Sequence, residues 1–267
     1  MYVWGVVHDL FDENFLAYID KNEKIKEKNG VKVISIDEAD ITKRIYISPK
    51  YCHKEIKQIL IKKRWIGDIV DVGEALEQLA KKQYFNLAEL YHCAKEYFVD
   101  VGAFDGDSTL QFIEWAKDSY DKILCFEPDV NNVDRFCERI PDIRQKKIEL
   151  IKKGAWSSDA ILSFKNDGIK SGILETGENK VEVCKIDDVV DKGVTYIKMD
   201  IEGAEEQAII GAAKTIKRDK PKLAIAIYHK KEDIFVLPDL ILRLNPDYKL
   251  YFRHYTFSDA DTVMYAV

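Results

Sequence analysis

Three short stretches of this 267-residue chain place carboxylates beside glycine or proline, as a strand end must when it turns sharply and still presents charge. The first reads Val99-Asp100-Val101-Gly102-Ala103-Phe104-Asp105-Gly106-Asp107-Ser108. The second is Phe126-Glu127-Pro128-Asp129, and the third Ile197-Lys198-Met199-Asp200-Ile201-Glu202-Gly203-Ala204-Glu205. In the first, Gly102 lets the chain leave a strand in a tight turn and Gly106 lets the backbone approach a ligand. Free N–H groups at the start of the next helix can hold an anion such as a carboxylate. The spacing is G-x-x-x-G, not the G-x-G-x-x-G of a dinucleotide turn. Its acids, Asp100, Asp105 and Asp107, would repel a pyrophosphate and suit a ligand with positive charge. No Gly-Lys-Ser/Thr follows, which argues against phosphoryl transfer.

Glu127, one strand later, can accept hydrogen bonds from both hydroxyls of a ribose; alternatively it caps a helix or pairs with a lysine. A ligand with an ammonium, a sulfonium and a ribose, S-adenosylmethionine, answers both the acidic turn and Glu127. The third stretch has two readings as well, because acids in a first helical turn are favoured by the macrodipole whatever their use. Asp200 differs, since it lies at the strand's carboxyl end, next to where a transferring methyl would sit. His229 closes another strand, and its unperturbed pKa of about 6.5 suits removal of a hydroxyl proton. Asp200 is the alternative base and His254 a weaker one. Asp200, Glu202, Glu205, His229 and Asp233 make an oxygen-rich set able to hold a magnesium ion. Their spacing follows no dedicated metal motif, so no metal ligand is assigned.

These residues need a scaffold that brings strand ends together. From Tyr97 onward strands and helices alternate. Strands are expected at Tyr97–Val101, Ile123–Phe126, Ile148–Ile151, Tyr196–Met199 and Leu223–Tyr228. Helices are expected from Asp107 or Ser108, from Asp129 to about Arg139, from about Ala204 to Lys217, and over roughly Asp233–Leu244. Ile161–Phe164 and Val181–Cys184 form a β excursion ahead of a helix-like Asp187–Val190. Lys249–Arg253 and Val263–Ala266 close the chain as an antiparallel pair. Such alternation implies an α/β fold, a mostly parallel sheet with helices on both faces. Residues 1–96 read as a smaller α/β domain, with strands at Tyr2–Val7, Phe15–Ile19, Val31–Ile36 and Arg44–Ser48 and helices at Glu55–Lys63 and Gly73–Lys82.

Bulk properties narrow the partners. A net charge of −6, with Lys and Arg interleaved among acids, argues against a nucleic-acid partner. No apolar run nears the ~18 residues of a membrane span, and no signal pattern opens the chain. Five cysteines, an odd count without a CxxC pair, read as reduced thiols in a cytoplasmic protein.

The three motifs together resemble the FkbM family of methyltransferases over about residues 97–267. The first two are shared by many class I methyltransferases, while the acidic D-x-E-G-A-E run from Asp200 to Glu205 is more specific. The resemblance implies a seven-stranded Rossmann-like sheet, S-adenosylmethionine as cofactor, and methylation of an oxygen on a sugar or other hydroxyl-bearing small molecule or glycan. By position, Asp100, Gly102, Ala103, Phe104, Asp107 and Ser108 would line the methionine end of the cofactor, and Glu127 with Pro128 the ribose. Ala155 and Trp156 would lie by the adenine, with Trp156 either stacking on it or filling the core. Asp200 would border the cofactor and, with Glu202 and Glu205, face the acceptor. Acceptor contacts are expected in Asn166–Lys180 and around Asp233. The first 96 residues resemble a Rossmann-type half attached to some bacterial members, but Val6-Val7-His8-Asp9-Leu10 replaces its glycine-rich turn. That half is therefore read as structural, with an oligomer contact as its expected use. The competing readings are a nucleotide-binding protein, sugar-nucleotide or NAD-linked, that uses the N-terminal half, and a non-catalytic relative. Amino-group methylation lacks its Asp/Asn-Pro-Pro-aromatic segment.

Overall fold

The computed structural model of the chain describes residues 16–20, 24–28, 30–49, 52–165, 172–174, 179–256 and 260–267. The expected strand Tyr2–Val7 and most of the expected acceptor loop lie outside them. The described residues pack as two units, one made of those up to Lys81 with Tyr255 and Thr256, and one made of Lys82–His254 with Ala260–Val267.

In the smaller unit, β1 (Tyr18–Ile19) runs parallel to β3 (Val31–Ile34), and β2 (Glu27–Lys28) pairs antiparallel with β3. A second pair joins β4 (Ile45–Ile47) in parallel to β5 (Ile69–Asp71), with α1 (His53–Lys62) between them in sequence and α2 (Val72–Ala80) following directly. Strand β5 was not anticipated. At three residues it is too short to show alternation, and its last residue, Asp71, already caps α2 by accepting the Glu74 N–H at 2.8 Å.

The larger unit is built on seven strands: β6 (Glu96–Val101), β7 (Tyr120–Phe126), β8 (Ile148–Ile151), β13 (Tyr196–Met199), β14 (Lys222–Ala226), β15 (Leu250–His254) and β16 (Thr262–Ala266). Their spatial order is β15-β16-β14-β13-β6-β7-β8, and β16 runs antiparallel to both neighbours. Order reverses between β6 and β13, the switch point at which open sheets of this kind bind ligands. Every residue of β6, β13 and β14 is buried. Each apolar side chain among them contributes about 1.5–3 kcal/mol by leaving water. Between β8 and β13 lies the β excursion, with β10 (Ala160–Lys165) and β12 (Asn179–Cys184) antiparallel, flanked by β9 (Gly154–Ala155) and β11 (Gly172–Leu174).

The expected helix from Ala204 to Lys217 is two helices, α5 (Glu205–Gly211) and α6 (Ala213–Asp219). Asp187 makes the break, accepting the N–H groups of Lys214 and Thr215 at 3.0 and 2.8 Å and so starting a new helix there. The remaining helices, α3 (Asp107–Ala116), α4 (Val130–Arg139) and α7 (Asp233–Leu244), match their expected positions.

Residues 82–95 pack with the larger unit, although the sequence suggested a boundary at 96. The tie is a buried ion pair. Lys222 Nζ, fully enclosed, donates to both oxygens of Glu96 at 2.8 and 3.0 Å and to the Tyr91 carbonyl at 2.9 Å. The hydroxyls of Tyr196 and Tyr265 donate to the carbonyls of Tyr84 and Gln83. No helix among the described residues is long and apolar enough to cross a membrane.

Candidate active site

At the carboxyl end of β6 the chain turns at Gly102, whose φ is +81°. A Cβ there would lie 2.0 Å from the Asp200 carbonyl, so glycine is required for the first loop to pack on the third. The N–H groups of Gly102 and Ala103 both reach the Phe126 carbonyl at 3.0 Å, and Ala103 is buried. At Gly106 a side chain would meet Ile140 and Phe136 at 2.8 and 3.0 Å, so glycine also lets the loop pack on the residues that end α4.

The three acids of this loop are committed to internal partners. Asp100 is fully buried. Its Oδ2 accepts the hydroxyls of Ser108 and Thr109, each at 2.7 Å, and its Oδ1 lies 3.2 Å from Lys198 Nζ. Asp105 and Asp107 are bridged by Arg139 at 2.6 and 2.7 Å, and Asp107 also accepts from Gln111. Asp107 N–H bonds to Asp105 Oδ1. Asp100 and Ser108 hold the loop's shape, and one guanidinium bridges the outer pair.

Glu127 is 5% exposed and joins two loops, accepting Phe104 N–H at 2.9 Å on one oxygen and Asp129 N–H and Asn132 Nδ2 on the other. Burial pushes its carboxyl up, against those hydrogen bonds. Asp129 caps α4 through the N–H groups of Asn131 and Asn132. Phe104, at φ +49°, stays half exposed, an uncommon state for a large apolar residue in the left-handed region. Pro128 and Trp156 are half-buried and Ala155 is buried; the Trp156 N–H bonds to the Cys184 carbonyl.

The third motif joins His229 in a cluster. Asp200 Oδ2 accepts from Tyr84 at 2.5 Å and its Oδ1 from Tyr228 at 3.3 Å. Burial first, then the Asp200 charge, push both phenols up, so they remain donors. His229 Nδ1 lies 2.9 Å from Glu205 Oε1, and Nε2 lies 3.4 Å from Asp200 Oδ1 and 3.6 Å from Glu202 Oε2. Burial pulls the imidazole down, but Glu205, Asp200 and Glu202 outweigh it and hold it above its usual range. Glu202 has φ +56° and the more open side chain, 39% exposed against 8% for His229. Burial, with Asp200 and Glu205 nearby and His229 opposing, pushes its carboxyl up to about 7. Asp233 is turned to the Lys230 N–H at 3.0 Å. His254 bonds to Thr262 at the edge of the sheet.

Sequence reasoning missed Tyr84, Tyr228 and Lys198. Lys198 carried a signal, since a lysine inside an apolar strand demands a buried partner. Tyr84 carried none, lying 116 residues from the aspartate it contacts. In the smaller unit a cavity of about 250 Å³ is lined by Asp20, Lys26, Ser35 and Glu38. The N–H and hydroxyl of Ser35 both go to Glu38, which leaves little there for a nucleotide phosphate.

A seven-stranded sheet with one antiparallel strand and acids along its carboxyl edge defines an α/β protein of class I methyltransferase architecture. Residues 100–258 match the methyltransferase FkbM domain, and the chain belongs to the FkbM methyltransferase family. Among solved structures, the methyltransferase FkbM from Methylobacillus flagellatus superposes with a TM-score of 0.64 at 22% identity, over 94% of this chain and 83% of that one. A putative rRNA methylase from Clostridium thermocellum gives 0.45 at 11% identity, over 71% and 92%. Fibrillarin from Aeropyrum pernix, solved with bound S-adenosyl-L-methionine, gives 0.44 at 17% identity, over 71% and 74%. No curated protein matches.

Proposed function

We propose that the chain transfers the methyl group of S-adenosylmethionine to a hydroxyl oxygen of a small-molecule or glycan acceptor. The observation that carries this reading is the meeting of three separately encoded loops at the switch point. Gly102 packs on Asp200, Glu127 holds Phe104, and Asp200 anchors the open acidic cluster.

The cofactor side fits such a ligand. An ionised carboxylate has about four acceptor positions, and Glu127 uses three, which leaves one for a ribose hydroxyl. Phe104 offers an exposed apolar face, and Ala155 and Trp156 border the adenine side. S-adenosylmethionine supplies an electrophilic methyl on its sulfonium. The protein's task is then to hold an acceptor oxygen in line with it and to remove that oxygen's proton.

Glu202 takes the proton in this scheme. It is the member of the cluster most open to solvent, whereas His229, the first candidate by sequence, is enclosed by carboxylates. Asp200, fixed by Tyr84 and Tyr228, orients the acceptor, and His229 holds Asp200 and Glu202 together. Calorimetry with S-adenosylhomocysteine should show one site per chain, weakened about tenfold or more in Glu127→Gln. In Glu202→Gln, methyl transfer to a panel of hydroxylated acceptors should fall at least ~100-fold while that affinity stays within twofold. No heat with millimolar S-adenosylhomocysteine would end the proposal.

A further inference from the structure

We infer that Asp200, Glu205 and His229 form a binding site for one divalent cation of the manganese or magnesium class. One ligand atom from each lies within 4.8 Å of the other two. That proximity alone would be an acidic patch. The stronger observation is what these groups lack. Glu205 is 1% exposed; its Oε1 accepts the Ile201 N–H at 2.9 Å, and its Oε2 is buried with no hydrogen-bond partner. Both ring nitrogens of His229 are likewise buried without a hydrogen bond, although each faces carboxylate oxygens 2.9–3.6 Å away.

His53 provides an internal contrast. It too lies between two carboxylates, but its Nδ1 bonds to Asp71 at 3.0 Å and its Nε2 to Glu77 at 2.7 Å, so that imidazole is satisfied by protein alone. The His229 nitrogens and the carboxylates around it are close without being aligned. Ligands of a common ion lie at such distances, with one ring nitrogen taking the ion: at metal–ligand distances of about 2.1 Å, adjacent corners of an octahedron are about 3 Å apart.

The supporting groups are in place. Tyr84 and Tyr228 hold the Asp200 carboxylate and the Ile201 N–H holds Glu205, as groups around a metal ligand orient it. With Glu202 at the rim, three carboxylates face one imidazole, leaving an excess of negative charge for a dication to cancel. Two carboxylates and one imidazole, without thiolate, suit manganese or magnesium over softer ions, and the imidazole favours manganese of the two. Positions left open on the Glu202 side would take water or the acceptor's hydroxyl, so the inference deepens the proposed function. The alternative occupant is a proton, with His229 as an imidazolium filling the cluster itself.

The test is a manganese titration of chelator-treated full-length protein, followed by electron paramagnetic resonance. One saturable site is expected, with magnesium competing. Its affinity should fall at least ~10-fold in Glu205→Gln, and nitrogen modulation of the bound-ion signal should vanish in His229→Gln. Circular dichroism and the melting temperature report whether each variant is folded, and the nitrogen signal of the wild-type protein decides the matter even if neither variant folds. No saturable binding below millimolar manganese, bound manganese without nitrogen coupling, or binding unchanged in both folded variants would overturn the inference. Calorimetry with S-adenosylhomocysteine separates the two proposals. Manganese bound here without that ligand would remove the proposed function alone, and the reverse would remove the cation site alone.

Discussion

The Asp100–Ser108 loop and the Asp200–His229 cluster hold the same kind of residue at neighbouring strand ends and treat it in opposite ways. In the loop, Asp100 has two hydroxyl donors and a lysine, and Asp105 and Asp107 share Arg139. In the cluster Asp200 has two phenol donors, but three carboxylates share a single imidazole and, among the described residues, no lysine or arginine, and a buried oxygen of Glu205 is left over. An acid near a ligand site is thus informative only once its partners are counted. The acids paired with a lysine or an arginine shape the loop, and those that share one imidazole are available for chemistry.

The largest expected effect comes from making the same substitution in both regions. Asp100→Asn leaves the Lys198 ammonium buried without a counter-charge and should cost about 3–5 kcal/mol in urea unfolding. Asp200→Asn keeps an acceptor for Tyr84 and should change stability by less than about 1 kcal/mol, while methyl transfer is lost. Equal destabilisation by the two would erase the distinction between the regions.

That distinction could not be read from the sequence, although the carboxylates could. The order of strands and helices from β6 to β16 follows from local patterning and capping, and these are what the sequence displays. The partners that decide each acid's use are distant. Lys198 reaches Gly102 across 96 residues, Arg139 reaches Asp107 across 32, and Tyr84 reaches Asp200 across 116. Strand β5 was too short to show a pattern, but two further differences have that long-range origin. Asp187 splits α5 from α6 from 27 residues upstream of Lys214, and Lys222 draws Tyr91 to the sheet from 131 residues away. A periodicity window does not see contacts of that range.

A smaller effect tests the cluster's rigidity. Tyr84→Phe removes one donor from Asp200, where partial exposure lets water substitute, so stability should drop by about 1 kcal/mol. Methyl transfer should fall about tenfold through kcat, with S-adenosylhomocysteine affinity unchanged. A change confined to that affinity would move Tyr84 to the loop side of the comparison. On the loop side, Arg139→Gln frees Asp105 and Asp107 at the surface, and its stability cost should stay within about 1 kcal/mol. A larger loss would show that the exposed fork supports the loop as Asp100 does.

The smallest expected effect concerns the imidazole that is already satisfied. Hydrogen bonds from His53, Lys54 and Lys81 hold the Glu77 carboxyl down at about 2. Its contribution to stability is therefore complete above about 4.5 and is lost as pH falls from there toward 2. Hydrogen bonds to Asp71 and Glu77 raise His53. Its contribution is complete below the ordinary imidazole value of about 6.5 and is lost as pH climbs through the raised one. Amide protection factors in α1 and α2, corrected for the intrinsic exchange rate at each pH, should then be highest between those limits and fall gently on either side. His53→Gln should flatten the alkaline side, leaving part of the acid side to Lys54 and Lys81. An alkaline side that persists in that variant would mean that His53 is not settled between its carboxylates, and the contrast between the two imidazoles would lose its reference.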